Sequence, residues 1–301
     1  MQEIKNGIDR THHKNICKMN ILKKATLMLC CAAFAGAAEA LAQEAIGQTH
    51  ILIAHRGGKY EVDENTIDGF SKAYAAGVRA YETDFRMTKD GVVVINHDAT
   101  LKRMFNVDKT VESMTIAEVR ELKTAKGNPL PTAEEFFDHL ADKDYMYVEC
   151  EMKTDSKEAY YDEAMLREYC KKLYETAMRK KPEHSVYVFT SFDKRPLRII
   201  RELFPDAKTT YITGNPIDSK SIIDAIDVQA DCVAGSLNGT TRNNVILAHK
   251  AKLKVSLWQT DSPDTWLRAA ILGADYATCD APAKTLRWLE ENCKWIKYKL
   301  E

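Results

Sequence analysis

The chain has 301 residues, 45% of them apolar and 29% charged. That composition excludes a collagen-like, low-complexity or disordered chain, and the length suits one large domain or two small ones. With 43 basic against 44 acidic residues the net charge is −1, so no strong global field draws the chain to nucleic acid or to an anionic membrane, and an anionic ligand has to be met by local cations or a metal.

The first segment reads as a targeting signal. Lys23 and Lys24 precede an apolar, alanine-rich run over residues 25–38, and Ala40-Leu41-Ala42 stands before Gln43. This is the layout of a secretory signal peptide, with Met19 as a candidate start after the polar residues 1–18. The expectation is a signal over residues 1–42 and an exported domain over 43–301, periplasmic or secreted. The run is too short for a stable membrane span. Cys17, Cys30 and Cys31 lie within this segment. Cys150, Cys170, Cys232, Cys279 and Cys293 remain without any Cys-x-x-Cys spacing, which argues against a zinc site. Cys150 and Cys232 sit in apolar runs and read as buried thiols, while a Cys170–Cys293 bridge stays open in an exported chain.

From residue 50 onward apolar runs alternate with helical patterns. Strands are expected over residues 50–54, 78–84, 91–96, 145–151, 186–190, 207–212, 232–235, 254–258 and 276–279. Amphipathic stretches with helical spacing fall over 66–76, 158–180, 195–204, 219–227, 242–251, 263–272 and 281–295. Alternating strands and helices imply right-handed βαβ units and a parallel sheet. About eight such units match a closed (β/α)8 TIM-type barrel. An open doubly wound sheet is the alternative, but it would normally bring a glycine-rich phosphate loop, and no G-x-G-x-x-G is present. Asp90-Gly91 is a turn signal before Val92-Val93-Val94-Ile95, which reads as a hairpin-like return after the second strand. Residues 100–143 then form a small insertion near the barrel mouth, a candidate lid, with one short helix over 116–124 and a loop over 128–131.

In such a barrel the active residues sit at the C-terminal ends of the strands. The first strand ends in His55-Arg56-Gly57-Gly58, the second contains Glu82 and Asp84, the return ends in His97-Asp98, the next carries Glu149, Glu151 and Lys153, and a late one ends in Trp258-Gln259. Residues two apart on a strand point the same way, so Glu82 pairs with Asp84 and Glu151 with Lys153 on one face. Converging carboxylates repel unless a cation lies between them, and oxygen ligands favour Mg2+ or Ca2+ over zinc. His55 and His97 are the natural proton carriers near neutral pH. Arg56 and Lys153 supply positive charge for a phosphate. Metal, phosphate and paired histidines together point to phosphoester cleavage.

These motifs resemble the glycerophosphodiester phosphodiesterase family. The resemblance rests on His55-Arg56-Gly57, Glu64-Asn65-Thr66, Glu82-Thr83-Asp84, Thr88-Lys89-Asp90-Gly91 and His97-Asp98, then Glu151-Met152-Lys153, Ser191-Phe192, Trp258 and Asp280-Ala281-Pro282. It covers about residues 51–290. It implies a (β/α)8 barrel, divalent metal ligands at Glu82, Asp84 and Glu151, a general base and acid at His55 and His97, and substrate or phosphate contacts at Arg56, Lys153 and Glu64. Trp258 would form an apolar wall for the glycerol moiety. It also implies a small-molecule glycerophosphodiester substrate whose own 2-hydroxyl attacks phosphorus. The chain departs from the family at Asp63, where proline is usual, at Gln259-Thr260-Asp261 in place of Thr-x-Asn, and at Cys279, where threonine is common. The changes at 259–261 leave the substrate open: a phosphoinositide, a sphingolipid or a teichoic-acid-like polymer are the alternatives. A non-catalytic binding barrel would show a lost histidine or acidic ligand, and none is lost.

Overall fold

The computed structural model describes residues 49–154 and 160–298. The signal expected over residues 1–42, and the first residues of the helix expected from 158, lie outside the described residues. Each expected strand forms: β1 (Ile51–His55), β2 (Ala80–Met87), β3 (Val93–Ile95), β4 (Tyr147–Met152), β5 (Val186–Ser191), β6 (Lys208–Pro216), β7 (Cys232–Ser236), β8 (Lys254–Thr260) and β9 (Tyr276–Cys279). Eight of them run parallel in the order β1-β2-β4-β5-β6-β7-β8-β9, and β9 returns to β1 with Ala54 opposite Cys279. The sheet is therefore closed, a (β/α)8 barrel.

β3 stands outside that ring. β2 meets β1 only at Tyr81 and Glu82, because β1 ends at His55. The same edge of β2 is then taken over by β3, antiparallel, with Phe85 opposite Ile95 and Met87 opposite Val93. The hairpin return thus sits above the end of β1 and delivers His97 over the barrel mouth.

The helices are α1 (Ile67–Ala75), α2 (Lys102–Phe105), α3 (Ile116–Arg120), α4 (Ala133–Leu140), α5 (Glu163–Arg179), α6 (Lys194–Leu203), α7 (Ser219–Asp227), α8 (Arg242–Lys250), α9 (Pro263–Leu272) and α10 (Pro282–Asn292). Residues 100–143 differ from the reading of a single short helix. α3 stops at Arg120, and α4 opens with a capping box of Thr132 and Glu135. α4 buries Phe136 against Phe70 at 4.7 Å and stacks Phe137 on Phe85 at 5.7 Å. It is the barrel's own crossover helix between β2 and β4, so the insertion shrinks to the residues between β3 and α4. That piece has a core of its own in Val94, Leu101, Val111, Met114, Val119 and Leu130. It is also tied to the barrel: Thr124 Oγ1 and Asn128 Nδ2 donate to Asp63 Oδ2 at 2.5 and 2.8 Å. Asp63, where the family usually has proline, is one of the anchors of the insertion.

Strand periodicity decides what fills the barrel. Ile51, Ile53, Ala80, Tyr147 and Val188 form an apolar plug at its base. Counting by twos from Ile53, Ala80 and Tyr147 reaches His55, Glu82 and Asp84, and Glu149 and Glu151. The acids of β2 and β4 therefore project inside the barrel, above the plug, and not into solvent. The alternate set, including Tyr81, Phe85, Val148 and Cys150, packs outward under the helices. Cys150, Cys170, Cys232, Cys279 and Cys293 are all buried free thiols, and no Cys170–Cys293 bridge forms. Among the described residues no helix is long and apolar enough to cross a membrane.

Candidate active site

Glu82, Asp84 and Glu151 meet at the top of the plug, with ligand-capable oxygens all within 4.8 Å of one another. All three are buried. Burial, and then the charges of Asp84 and Glu151, push the Glu82 carboxyl well above the usual carboxylate range. Asp84 goes the other way. Burial would raise it, but Lys153 and Arg56 hold it well below that range. Lys153 Nζ lies 2.7 Å from Glu151 Oε1 and 3.2 Å from Asp84 Oδ1. Arg56 Nε lies 3.5 Å from Asp84 Oδ2. Asn65 Nδ2 donates to the same oxygen at 2.8 Å, and Thr83 Oγ1 fixes the amide by donating to Asn65 Oδ1 at 3.0 Å.

Three carboxylates against two cations leave one negative charge uncompensated, and Glu82 Oε1 is buried without a hydrogen-bond partner. A buried acidic cluster with an orphaned oxygen fits a divalent cation. Such an ion would turn the local formal charge from one negative to one positive, the complement of a phosphodiester monoanion.

The turn after β1 shapes the entrance. Arg56, Gly57 and Gly58 all take positive φ, at 53°, 81° and 107°. At Gly58 a Cβ would come within 2.8 Å of Pro282 Cγ, so the close approach of α10 requires glycine. The turn aims the Arg56 backbone N–H at Glu82 Oε2, 3.2 Å away, and carries the guanidinium over Asp84. Glu64, expected among the substrate contacts, accepts from Arg56 Nη1 at 3.1 Å and is shared with Arg103. Its carboxylate orients Arg56.

Each histidine is held by an aspartate. His55 Nδ1 lies 2.5 Å from Asp280 Oδ1, and His55 Nε2 lies 3.8 Å from Glu82 Oε2. His97 Nδ1 lies 2.7 Å from Asp98 Oδ1. Asp98 stays ionised: burial would raise its carboxyl, but bonds from Arg103 and His97 lower it to about 2. An ionised carboxylate can only accept, so the neutral imidazole must carry its proton on Nδ1 and leave Nε2 free. Burial lowers both imidazoles below the ordinary histidine value.

His55, Arg56, Glu82, His97, Glu151 and Lys153 line one cavity of about 130 Å3. Trp258 closes one side, edge-on to Phe192 with ring centres 6.1 Å apart. A wider groove of about 630 Å3 shares Glu151, Lys153 and Phe192 and leads away toward Tyr161 and Arg195. Glu149 lies deeper, its carboxyl pushed up to about 7 by burial and accepting from Tyr147 Oη at 3.2 Å.

The candidate site residues His55, Arg56, Glu64, Glu82, Asp84, His97, Glu151, Lys153 and Trp258 thus come together at one end of the barrel. Sequence reasoning assigned no role to Asp280, Asn65, Arg86 and Arg103. Asp280 stood in the quoted Asp-Ala-Pro motif, and Asn65 in Glu-Asn-Thr. Arg86 is fully buried on β2, two residues beyond Asp84. It donates from Nε to the Asn96 carbonyl at 3.2 Å and from Nη2 to the His97 carbonyl at 2.8 Å. The period-two spacing from Glu82 was the only local signal for it.

The chain matches the model of the Glycerophosphoryl diester phosphodiesterase family over residues 55–284. It is 36% identical over 111 residues to a glycerophosphodiester phosphodiesterase of Caldanaerobacter subterraneus, a stretch that is 35% of this chain and 45% of that relative. Among solved structures it is similar to an Oleispira antarctica phosphodiesterase in complex with the product sn-glycerol-3-phosphate. The TM-score is 0.72 at 21% identity, over 80% of this chain and 96% of that one. It is also similar to a glycerophosphodiester phosphodiesterase from Parabacteroides distasonis, with a TM-score of 0.69 at 20% identity over 82% and 99% of the two chains. At such identities these two likenesses are of fold.

Proposed function

The chain belongs to the glycerophosphoryl diester phosphodiesterase family, and on that premise we propose that it hydrolyses glycerophosphodiesters to glycerol 3-phosphate and an alcohol. The observation that carries the proposal is the meeting of three carboxylates within 4.8 Å with two imidazoles whose Nδ1 atoms are each held by an aspartate. Glu82, Asp84 and Glu151 would hold the metal, and their hard oxygen donors favour Mg2+ or Ca2+. When bound, the ion supplies Lewis-acid charge to a non-bridging phosphate oxygen.

The chain's own groups do the rest. Arg56 and Lys153 stabilise charge that builds on the phosphoryl oxygens. Lys153 stays protonated for this: burial works against its charge, but Asp84, Glu151 and Glu82 outweigh it. One imidazole takes a proton at Nε2 from the attacking hydroxyl and the other gives one to the leaving alcohol. The bound phosphodiester's negative charge favours the protonated form of the donor. Phe192 and Trp258 offer apolar contact to the carbon skeleton. The substrate's own 2-hydroxyl is the nucleophile best placed by proximity.

Diesters of choline, ethanolamine, glycerol and inositol, assayed in parallel for glycerol 3-phosphate, test the reading. Release from at least one is expected, and release from none overturns it. Residues 1–42 support export, which predicts a native N-terminus near Gln43 by N-terminal sequencing. Native protein that retains residues 19–42 contradicts it.

A further inference from the structure

We propose that the insertion between β3 and α4 serves the reaction by placing Arg103 as a positioning residue that ties His97 to Arg56. The inference rests on the roles given above to those two residues. Arg103 lies on α2 and touches neither of them. It grips the carboxylate that each one uses. Its Nε and Nη2 donate to Asp98 Oδ2 and Oδ1 at 2.7 and 3.1 Å. Its Nη2 and Nη1 donate to Glu64 Oε1 and Oε2 at 2.6 and 3.0 Å. Asp98 in turn holds His97 Nδ1, and Glu64 holds Arg56 Nη1. One planar guanidinium therefore sets two acids that approach it from different loops, which a lysine's point charge cannot do with the same geometry.

Removing that grip has definite consequences. The Asp98 side chain is 27% exposed and the His97 side chain 32%. Freed from Arg103, Asp98 can turn toward water, and the imidazole loses the partner that fixes its tautomer and direction. Glu64, only 10% exposed between two guanidiniums, would place its full charge on Arg56 and draw it from the phosphate.

The insertion is built to keep Arg103 in place. Leu101, immediately before α2, belongs to the insertion's own core, and Phe105 and Val107, just after Arg103, pack on that core. From the far side Arg86 donates to Glu112 at 3.1 Å and to the His97 carbonyl. The segment has its own core and is fastened on both sides, which suits a clamp.

The Arg103 side chain is 46% exposed, so Arg103→Ala opens a water-accessible vacancy and should fold. In the full chain, turnover should fall by about 10- to 100-fold, the range in which outer partners of a site act, with the melting temperature little changed. Millimolar methylguanidinium should restore a large part of the loss, and Arg103→Lys should fall between the two. Wild-type turnover in Arg103→Ala, beside an inactive His97→Ala, overturns the inference alone. A loss that tracks a lowered melting temperature and resists methylguanidinium also overturns it, by making the role structural. Normal turnover in His97→Ala overturns the reading of the site and this inference with it.

Discussion

His55 Nδ1 stands 2.5 Å from Asp280 Oδ1, across a sequence separation of 225 residues. Lys59 Nζ holds the other oxygen, Oδ2, at 3.1 Å. The aspartate therefore cannot swing away, and it dictates which imidazole nitrogen faces the cavity. Burial would raise the Asp280 carboxyl, but His55 and Lys59 keep it below its ordinary value, so it remains an acceptor.

Asp280→Asn should then reduce turnover on the order of 100-fold, within the range of general acid–base contributions. An amide can present N–H as well as C=O to Nδ1, so the tautomer is no longer imposed. The fold should survive, because the amide is isosteric. Turnover and a thermal melt check this, together with the Nδ1 proton resonance of His55 by NMR. Near-normal turnover would mean that Asp280 does not act through His55.

The acid cluster predicts opposite effects of one substitution with and without metal. Glu82 is crowded by Asp84 and Glu151 in a buried site. In chelated protein, Glu82→Gln replaces a carboxyl whose charged form burial and the neighbouring acids disfavour, and should leave stability equal or higher. With Mg2+ or Ca2+, the wild type should gain about 2.7 kcal/mol at a 100-fold excess over Kd, several degrees in a domain of this size. Glu82→Gln should gain little and lose activity. A wild-type melt indifferent to both ions, with activity surviving chelation, would sink the metal assignment.

The division between what could be read early and what could not follows contact range. The strands are apolar runs of a few residues broken by turn chemistry, and each was visible locally. The acids and lysine of the candidate site were legible because period two places Glu82 with Asp84 and Glu151 with Lys153. Boundaries moved where a distant partner decided them. β2 runs on to Met87 because β3 extends its pairing there. α4 was missed although its Thr132 and Glu135 box is a local signal, because the segment had been read as insertion. The partnerships of His55 with Asp280, and of Arg103 with Glu64 and Asp98, depend on barrel closure and on the insertion's fold. No local pattern carries them.

Asp275 gives a prediction at the opposite end of the barrel. It accepts from His249 Nε2 at 2.8 Å, Lys254 Nζ at 2.7 Å and the Val255 N–H at 2.9 Å. Burial would raise its carboxyl, but these donors lower it. A carboxyl depressed in the folded state stabilises fully above its unfolded value of about 3.9, and that contribution is lost as pH falls through the lower folded value. Asp275→Asn should cost about 1–3 kcal/mol near neutrality. The gap between variant and wild type should narrow below about pH 4. Urea melts across that range measure it, and a gap that is constant or widens in acid would contradict the assignment.

Proximity favours a nucleophile that arrives with the substrate. An attached 2-hydroxyl avoids the entropy of capturing a separate water, and effective molarities of such groups reach about 10⁵ M or more. Nε2 of one histidine would take the hydroxyl proton, a cyclic phosphate would form as the alcohol leaves, and the two histidines would exchange roles when water opens the ring. The rival path, direct attack by water, could use the same residues. An analogue with hydrogen in place of the 2-hydroxyl separates them, because it keeps the phosphate and leaving alcohol unchanged. It should bind with an inhibition constant near the natural diester's KM and turn over hardly at all. A transient cyclic phosphate should appear by phosphorus NMR with the natural diester. Cleavage of the analogue at close to the natural rate would rule out the intramolecular path and make water the attacking group from the first step.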